Sequence, residues 1–482
     1  MKHFTSLCAG MALASVLFWC SAVSAADSQP ASVSPRPAAT GPLRASKANP
    51  RYFTNSSGQA IVLVGSHTWD NLQDMGQSDP PTAFDFDAYL DFLSKHNHNF
   101  IRLWRWELVS WNTQANREKS PRRLVCAPHP WARTGPGAAL DGKPKFNLEQ
   151  YDELYFKRLR QRVTAARDRG IYLSIMLFEG WGPQFVPDAW KSHPFNRANN
   201  VNNIEGDTNG DGKGLEVHAL ADPKITALQE AYIRKVIDTV NDLDNVLYEI
   251  SNENHPPSTQ WQYHMIRFIH DYEKAKPKQH PVGMTFQYRG GKNAALFDSP
   301  ADWVSPNPDA DAGYNYRDNP PPAAGKKVVL SDTDHLWGIG GDVAWVWKSF
   351  LRGHNPIFMD PYKRDVLDGG PVARWEPVRQ AMGAVRRLAD RMDLTAMTPT
   401  KDLASSGYCL ANPGREYVVY LPKAGEVTLD LSAATGEFAV EWLNPQTGEA
   451  TKAQNVAGGA KRSWQLPLAG DAVLHLKART AE

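Results

Sequence analysis

Between residues 60 and 392, short apolar runs alternate with segments of helical periodicity, and this alternation limits the fold more than any other feature. The runs span 60–64, 100–104, 171–178, 246–250, 281–286, 303–304, 327–331 and 356–359. They are nearly continuous in β-branched and aromatic residues instead of alternating with polar ones. That pattern belongs to strands buried on both faces, as in a parallel sheet covered by helices. The helical segments between them span 84–96, 147–169, 222–243, 258–275, 344–351 and 371–392. Eight strand units of this kind predict a closed (β/α)8 TIM barrel, an α/β fold. From about residue 396 the texture changes. Runs at 416–421, 426–431, 438–442 and 472–476 alternate or nearly so, with Gly, Asn and Pro between them. These predict a small antiparallel β-sandwich domain. A chain of 482 residues is too long for one ordinary domain. The expected division is a barrel at 51–395 and a sandwich at 396–482.

The N-terminus reads as a processing signal. Lys2 and His3 precede an apolar stretch at 7–23, and the small residues Ser21-Ala-Val-Ser-Ala-Ala26 follow. The expectation is a secretory signal peptide over 1–26, and hence a secreted or periplasmic protein of bacterial type. The apolar part falls short of the roughly 20 residues of a membrane span, and no other stretch is long enough. Residues 27–50 are rich in Pro, Ala and Ser and read as a flexible linker. Two of the four cysteines, Cys8 and Cys20, lie in the leader. Cys126 and Cys409 remain, either as a pair or as two buried thiols. With no CxxC and no Cys/His cluster, neither a structural zinc nor any cofactor is implied.

Charge is balanced, with 53 Lys+Arg against 52 Asp+Glu. That leaves no basic footprint for nucleic acid. The 16 tryptophans suit a carbohydrate cleft, and equally a core.

In barrels the chemistry sits at the C-terminal ends of the strands. Four such ends carry unusual polar groups here. Ser66, His67, Trp69 and Asp70 follow the first. Arg102, Arg105 and Glu107 interleave with Trp104 and Trp106 on the second. Asn252, Glu253 and His255 follow the fourth, and Ser331-Asp-Thr-Asp-His335 and Trp337 the seventh. Two carboxylates facing each other across a barrel mouth are the minimum for cleaving a glycosidic bond, about 5–5.5 Å apart for retention or roughly 6.5–9.5 Å for inversion. Glu253 is the candidate proton donor, weakened as an acid by burial and by the opposing carboxylate. Asp332 or Asp334 is the candidate nucleophile, kept ionised by neighbours such as Arg102. Asp332 sits directly at the end of its strand and is preferred. His67, Trp69, Arg102, Trp104, Asn252, His335 and Trp337 are candidates for holding a polysaccharide or oligosaccharide, and Trp181 is a further ring. The same residue types also serve as ion pairs, satisfied histidines and packing.

Two rivals share these residues. One is a non-catalytic carbohydrate-binding protein on the same fold. The other is a metal-dependent hydrolase using His67, His218, His335 and Asp334. Separately, Asp207-Thr-Asn-Gly-Asp-Gly-Lys-Gly214 matches the start of a calcium loop, but its twelfth position is His218 where a glutamate is needed.

Several segments also resemble a known family. Arg51-Tyr-Phe-Thr-Asn-Ser-Ser-Gly, Gly65-Ser-His-Thr-Trp-Asp-Asn-Leu-Gln-Asp74 and Ser251-Asn-Glu253 are similar to segments of the apiosidase-like glycoside hydrolases. Gly407-Tyr-Cys-Leu-Ala-Asn412 and Trp442-Leu-Asn-Pro-Gln-Thr-Gly448 resemble the small sandwich often attached to them, sometimes labelled collagen-binding. The resemblance covers roughly residues 50 to 478. It implies a (β/α)8 enzyme of the retaining clan with catalytic residues after strands four and seven, and it matches Glu253 to the acid/base. The clan usually has a glutamate after strand seven, where this chain offers Asp332-Thr-Asp334.

Overall fold

The computed structural model describes residues 37–116, 118–310, 312–364, 366–368, 370–466 and 470–479. The expected signal peptide lies outside them. Eight parallel strands form one sheet: β1 (Gly65–His67), β2 (Phe100–Leu103), β3 (Tyr172–Glu179), β4 (Val246–Asn252), β5 (Val282–Thr285), β6 (Trp303–Ser305), β7 (Val328–Asp332) and β8 (Asn355–Met359). Their order is β1-β8-β7-β6-β5-β4-β3-β2. The ends meet through Asn99. Its N–H donates to Val64 O at 2.9 Å, and its Oδ1 accepts from Val64 N–H at 2.9 Å. The predicted TIM barrel is therefore present.

The first strand is displaced from its expected position. Ala60–Ile61 pairs in a small antiparallel sheet, and the barrel strand begins at Gly65. A Cβ at residue 65 would fall 1.7 Å from the Phe100 carbonyl oxygen, so only glycine lets the two edges close. Ser66 and His67 thus lie in the strand, not beyond it.

Seven helices of the barrel are α1 (Phe86–Lys95), α2 (Glu153–Asp168), α3 (Pro223–Val240), α4 (Thr259–Glu273), α5 (Asn293–Phe297), α6 (Val343–Leu351) and α7 (Glu376–Ala389). Helix α3 shows why such segments fold as they do. Asp222 caps it by accepting from Lys224 N–H at 2.8 Å, and Pro223 occupies the first turn, where its missing N–H costs nothing. Ile225, Tyr232, Ile233, Val236, Ile237 and Val240 then form one buried stripe, each apolar side chain worth about 1.5–3 kcal/mol. Helix α2 starts later than its predicted 147. Phe146 and Leu148 alternate with polar neighbours, and Pro144–Tyr151 instead pairs with Trp131–Ala138 as a hairpin. Asp152 then caps the helix, accepting from Leu154 N–H at 2.9 Å. The linker expectation also fails for residues 37–50. Ala39 and Leu43 are buried with Phe53, Phe100 and Tyr172, and Arg44–Ala45 pairs with Phe53–Thr54.

The C-terminal strands are β9 (Cys409–Asn412), β10 (Glu416–Leu421), β11 (Glu426–Asp430), β12 (Glu437–Leu443), β13 (Ala450–Ala457), β14 (Lys461–Gln465) and β15 (Ala472–Ala478). One antiparallel sheet runs β9-β10-β15-β12-β13, and β11 pairs with β14. One face of the larger sheet, with Val419, Phe438, Val440 and Leu474, packs on Val427 and Leu429. The other, with Leu410, Val418, Tyr420, Leu443 and Val473, joins the core of the barrel helices. Trp347 of α6 donates to Pro445 O at 2.7 Å, and Arg387 of α7 to Thr447 O at 2.7 Å. Cys126 and Cys409 are both buried free thiols, which decides between the two cysteine readings.

Candidate active site

A cavity of about 560 Å³ opens at the C-terminal ends of the barrel strands. It is lined by both Glu253 and Asp334, with Trp69, Trp104, Trp181, Asn252, Tyr288, His335 and Trp337 around them. Among the described residues, none of the lining comes from beyond residue 368, so no described part of the sandwich, which stands on the barrel's flank, reaches this mouth.

Glu253 follows the last residue of β4 in an unusual backbone state, with φ +43°. That left-handed region is costly for a side chain with a Cβ. A clamp holds it there. Gln184, in the one-turn helix Trp181–Phe185, donates from Nε2 to Glu253 O at 2.8 Å and to Gly180 O at 2.7 Å. Gly180 must stay bare, since a Cβ would lie 2.4 Å from Asn254 Cα. The base of this helix is fixed by Glu179, whose carboxyl oxygens accept from the N–H groups of Trp181 and Gly182. Burial pushes Glu179 up to about 8, with Glu107 adding to the effect.

Arg102 organises the opposite carboxylates from the floor of the site. It donates to Glu249 at 2.9 and 2.6 Å, to Asn252 Oδ1 at 2.7 Å, and to Asp332 and Asp334 at 3.0 Å each. Since arginine only donates, Asn252 Oδ1 is fixed as an acceptor. His335 Nε2, 3.1 Å from that same oxygen, therefore carries the proton, and its Nδ1 accepts from Ser305 at 2.6 Å. Burial and the Arg102 charge keep His335 well below its usual pKa, so it is neutral. Asn252 Nδ2 is left buried without a partner, a donor free for a ligand oxygen.

Both carboxylates at the cavity are shifted upward, Glu253 by more. Burial and the Asp334 charge raise Glu253 well above the usual carboxylate range, against Arg102. Asp334 is raised by burial, with Arg102 opposing and Asp332 adding to it. Asp332 behaves oppositely: although burial disfavours its charge, His67 and Arg102 hold it well below the ordinary range.

Three expected site residues do not reach the cavity. Asp332 is 1% exposed and spends its oxygens on His67 at 3.0 Å, Arg102 and the N–H of Asp334. Of the two candidate carboxylates, Asp334 and not the preferred Asp332 is therefore the one that lines the cavity. The residue at the strand's end is consumed as the cap of the turn Thr333–Leu336, and the turn carries Asp334 to the cavity instead. His67 and Arg102 likewise lie beneath the lining, where both contact carboxylates. The other candidates, Trp69, Trp104, Asn252, Glu253, Asp334, His335 and Trp337, are brought together. Trp69 and Trp104 are buried and packed against each other, at 5.6 Å; Trp337 is 38% exposed at the rim.

One solved structure described as "Glycoside hydrolase" aligns at a TM-score of 0.57 and 11% identity, over 92% of this chain and 98% of its own. A glycoside hydrolase family 5 protein from Bacteroides vulgatus ATCC 8482 aligns at 0.59 and 12%, over 91% and 94%. This chain has their fold. Residues 125–299 match a family described as "Domain of unknown function (DUF6298)", and residues 397–476 one described as "Putative collagen-binding domain of a collagenase". No curated protein matches.

The metal-hydrolase constellation does not assemble. His218 is committed to Glu107 at 3.0 Å in a separate buried cluster with His193 and Arg105, while His67 belongs to Asp332. Among the described residues, Asp207, Asp211 and Glu216 do bring carboxylate oxygens within 4.8 Å of one another. In the half-matched calcium loop, then, Glu216 stands near the first ligands in place of the missing twelfth position.

Several lining residues gave no signal in the sequence. Glu118, Tyr288, Arg289 and Arg317 come from long loops without periodicity. Glu249 could have been found, as a lone carboxylate inside an otherwise apolar strand.

Proposed function

We propose that this protein is a glycoside hydrolase in which Glu253 is the acid and Asp334 the opposing carboxylate. One observation carries the reading: both line one cavity, from the ends of β4 and β7, with Glu253 biased to its protonated form and Asp334 held by a guanidinium. Glu253 gives its proton to the leaving oxygen while Asp334 attacks the anomeric carbon and the glycosidic bond breaks. Water then displaces Asp334, giving its proton to Glu253. Asn252 Nδ2 donates to a sugar hydroxyl, oriented by Arg102 and His335. The exposed face of Trp337 stacks on a ring. Aspartate is one methylene shorter than the clan's glutamate. Its place inside the turn, beyond the strand end, compensates by carrying the backbone toward the cavity. Retention and a substrate in polysaccharides or their side chains follow from the resemblance to apiosidase-like enzymes, and export from the N-terminal leader.

The test is turnover of a panel of aryl glycosides, apiosides and polysaccharides by the full chain, with the anomer of the first product read by NMR. Glu253→Gln preserves shape and should cost on the order of 10²–10⁴-fold in rate, the usual worth of a general acid. Sugar binding without turnover on any substrate would instead favour a carbohydrate-binding protein.

A further inference from the structure

The charges around the cavity are unevenly satisfied. Five acidic side chains line it: Glu118, Glu253, Asp309, Asp334 and Asp368. Glu118 is held by Arg122 at 2.8 Å, Asp368 by Arg364 at 2.5 Å, and Asp334 by Arg102 at 3.0 Å. Glu253 is biased to its neutral form. The two cations of the lining, Arg289 and Arg317, are exposed, and among the described residues neither meets a carboxylate at ion-pair distance. Asp309, also exposed, is a single charge set against both.

Each arginine is steadied by aromatic rings instead. The Arg289 guanidinium lies 5.3 Å from the Phe185 ring and 5.4 Å from that of Tyr288. Arg317 lies 5.9 Å from the Trp337 ring, and its Nε donates to Leu336 O. These anchors are paired with the two carboxylates. Phe185 shares a one-turn helix with Gln184, which clamps Glu253. Leu336 ends the turn that carries Asp334, and Trp337 follows it directly. Among the described residues, a guanidinium with no carboxylate partner therefore stands beside the support of each carboxylate.

A planar guanidinium matches a carboxylate in a two-pronged pair, and the rings alongside suit the face of a sugar. A neutral glycan would leave both arginines to water. Resting on the glycosidase reading above, we propose that the substrate is an acidic glycan, with uronic-acid carboxylates taken by Arg289 and Arg317.

The test compares oligomers of galacturonic and glucuronic acid with the same oligomers after their carboxyl groups are reduced to alcohols. Affinity is read by calorimetry on Glu253→Gln, and kcat/KM on the otherwise unaltered chain, each with and without Arg289→Met or Arg317→Met. Both arginines are exposed, so the variants should fold. The expected result is an advantage of about ten-fold or more for an acidic form at low salt. It should shrink as salt is added and fall toward one in the arginine variants. Equal handling of acidic and reduced forms, binding to neither, or an advantage that survives both substitutions overturns the proposal. Turnover of neutral glycans alone would then leave the hydrolase standing. An arginine-dependent preference in a chain that cleaves nothing would uphold the acidic ligand and remove the hydrolase.

Discussion

Replacing Gln184 by Met should disarm Glu253 without touching it. The amide holds two carbonyls, Glu253 O at 2.8 Å and Gly180 O at 2.7 Å, and methionine fills the space but donates nothing. A neutral hydrogen bond is worth about 0.5–1.5 kcal/mol net, so the pair supplies about 1–3 kcal/mol. The left-handed φ of +43° at Glu253 costs about 1–2 kcal/mol. The two terms are of one size, so losing the clamp lets the turn relax and the acid leave its working position. A shift of that magnitude corresponds to roughly ten- to hundred-fold in kcat. The pH profile distinguishes this from simple loosening. Glu253 must be protonated to act, so activity falls as pH rises through its pKa. As it leaves its buried place and moves away from Asp334 its raised pKa drops, and the basic limb of the profile moves to lower pH. The assay is kcat against pH on any glycoside the parent chain turns over, beside thermal melting. A variant that melts earlier but keeps its kcat and its basic limb would refute the clamp.

Two further outcomes follow from groups away from the acid. His475 lies between Glu441 at 2.8 Å and Glu416 at 2.9 Å, and these carboxylates raise its pKa although burial works against them. Its charged form therefore adds stability that is complete below the unfolded value of about 6.5 and drains away as pH climbs through the raised folded value. In His475→Gln the melting temperature should lose that decline above about pH 6.5, and melting curves that stay parallel to the parent's would contradict it. Trp337→Ala should raise KM about five-fold, from roughly 1 kcal/mol of lost stacking, with stability changed by less than about 0.5 kcal/mol because the ring is 38% exposed. A lowered melting point with KM intact would return that ring to the core.

The barrel was legible because its strands are buried on both faces and leave unbroken apolar runs. Glu253 and Asn252 could be placed for the same reason, since a polar group directly after such a run has to sit at the rim. The first strand was misplaced because Gly65 contributes closeness of backbone, which no hydrophobic pattern records. Sequence ranked Asp332 ahead of Asp334, whereas Asp334 is the one at the cavity. Strand position favours the first, but a carboxylate at that point also makes a good cap, and the cap consumed it. His67 and Arg102 were recognised as site residues and assigned to a ligand, whereas the fold turns them inward onto other side chains. Strands β13 and β14 were missed because one is exposed along most of its length and the other alternates with exposed residues, leaving little apolar pattern.

Helix α6 follows the turn bearing Asp334, and on its outer side it receives Pro445 through Trp347. Removing the chain beyond residue 396 would peel Leu410, Val418, Tyr420, Leu443 and Val473 from these helices and leave a greasy flank in water. The two lobes are thus not beads on a string. A trimmed barrel would be prone to clump, and the smallest working version of this molecule keeps both halves.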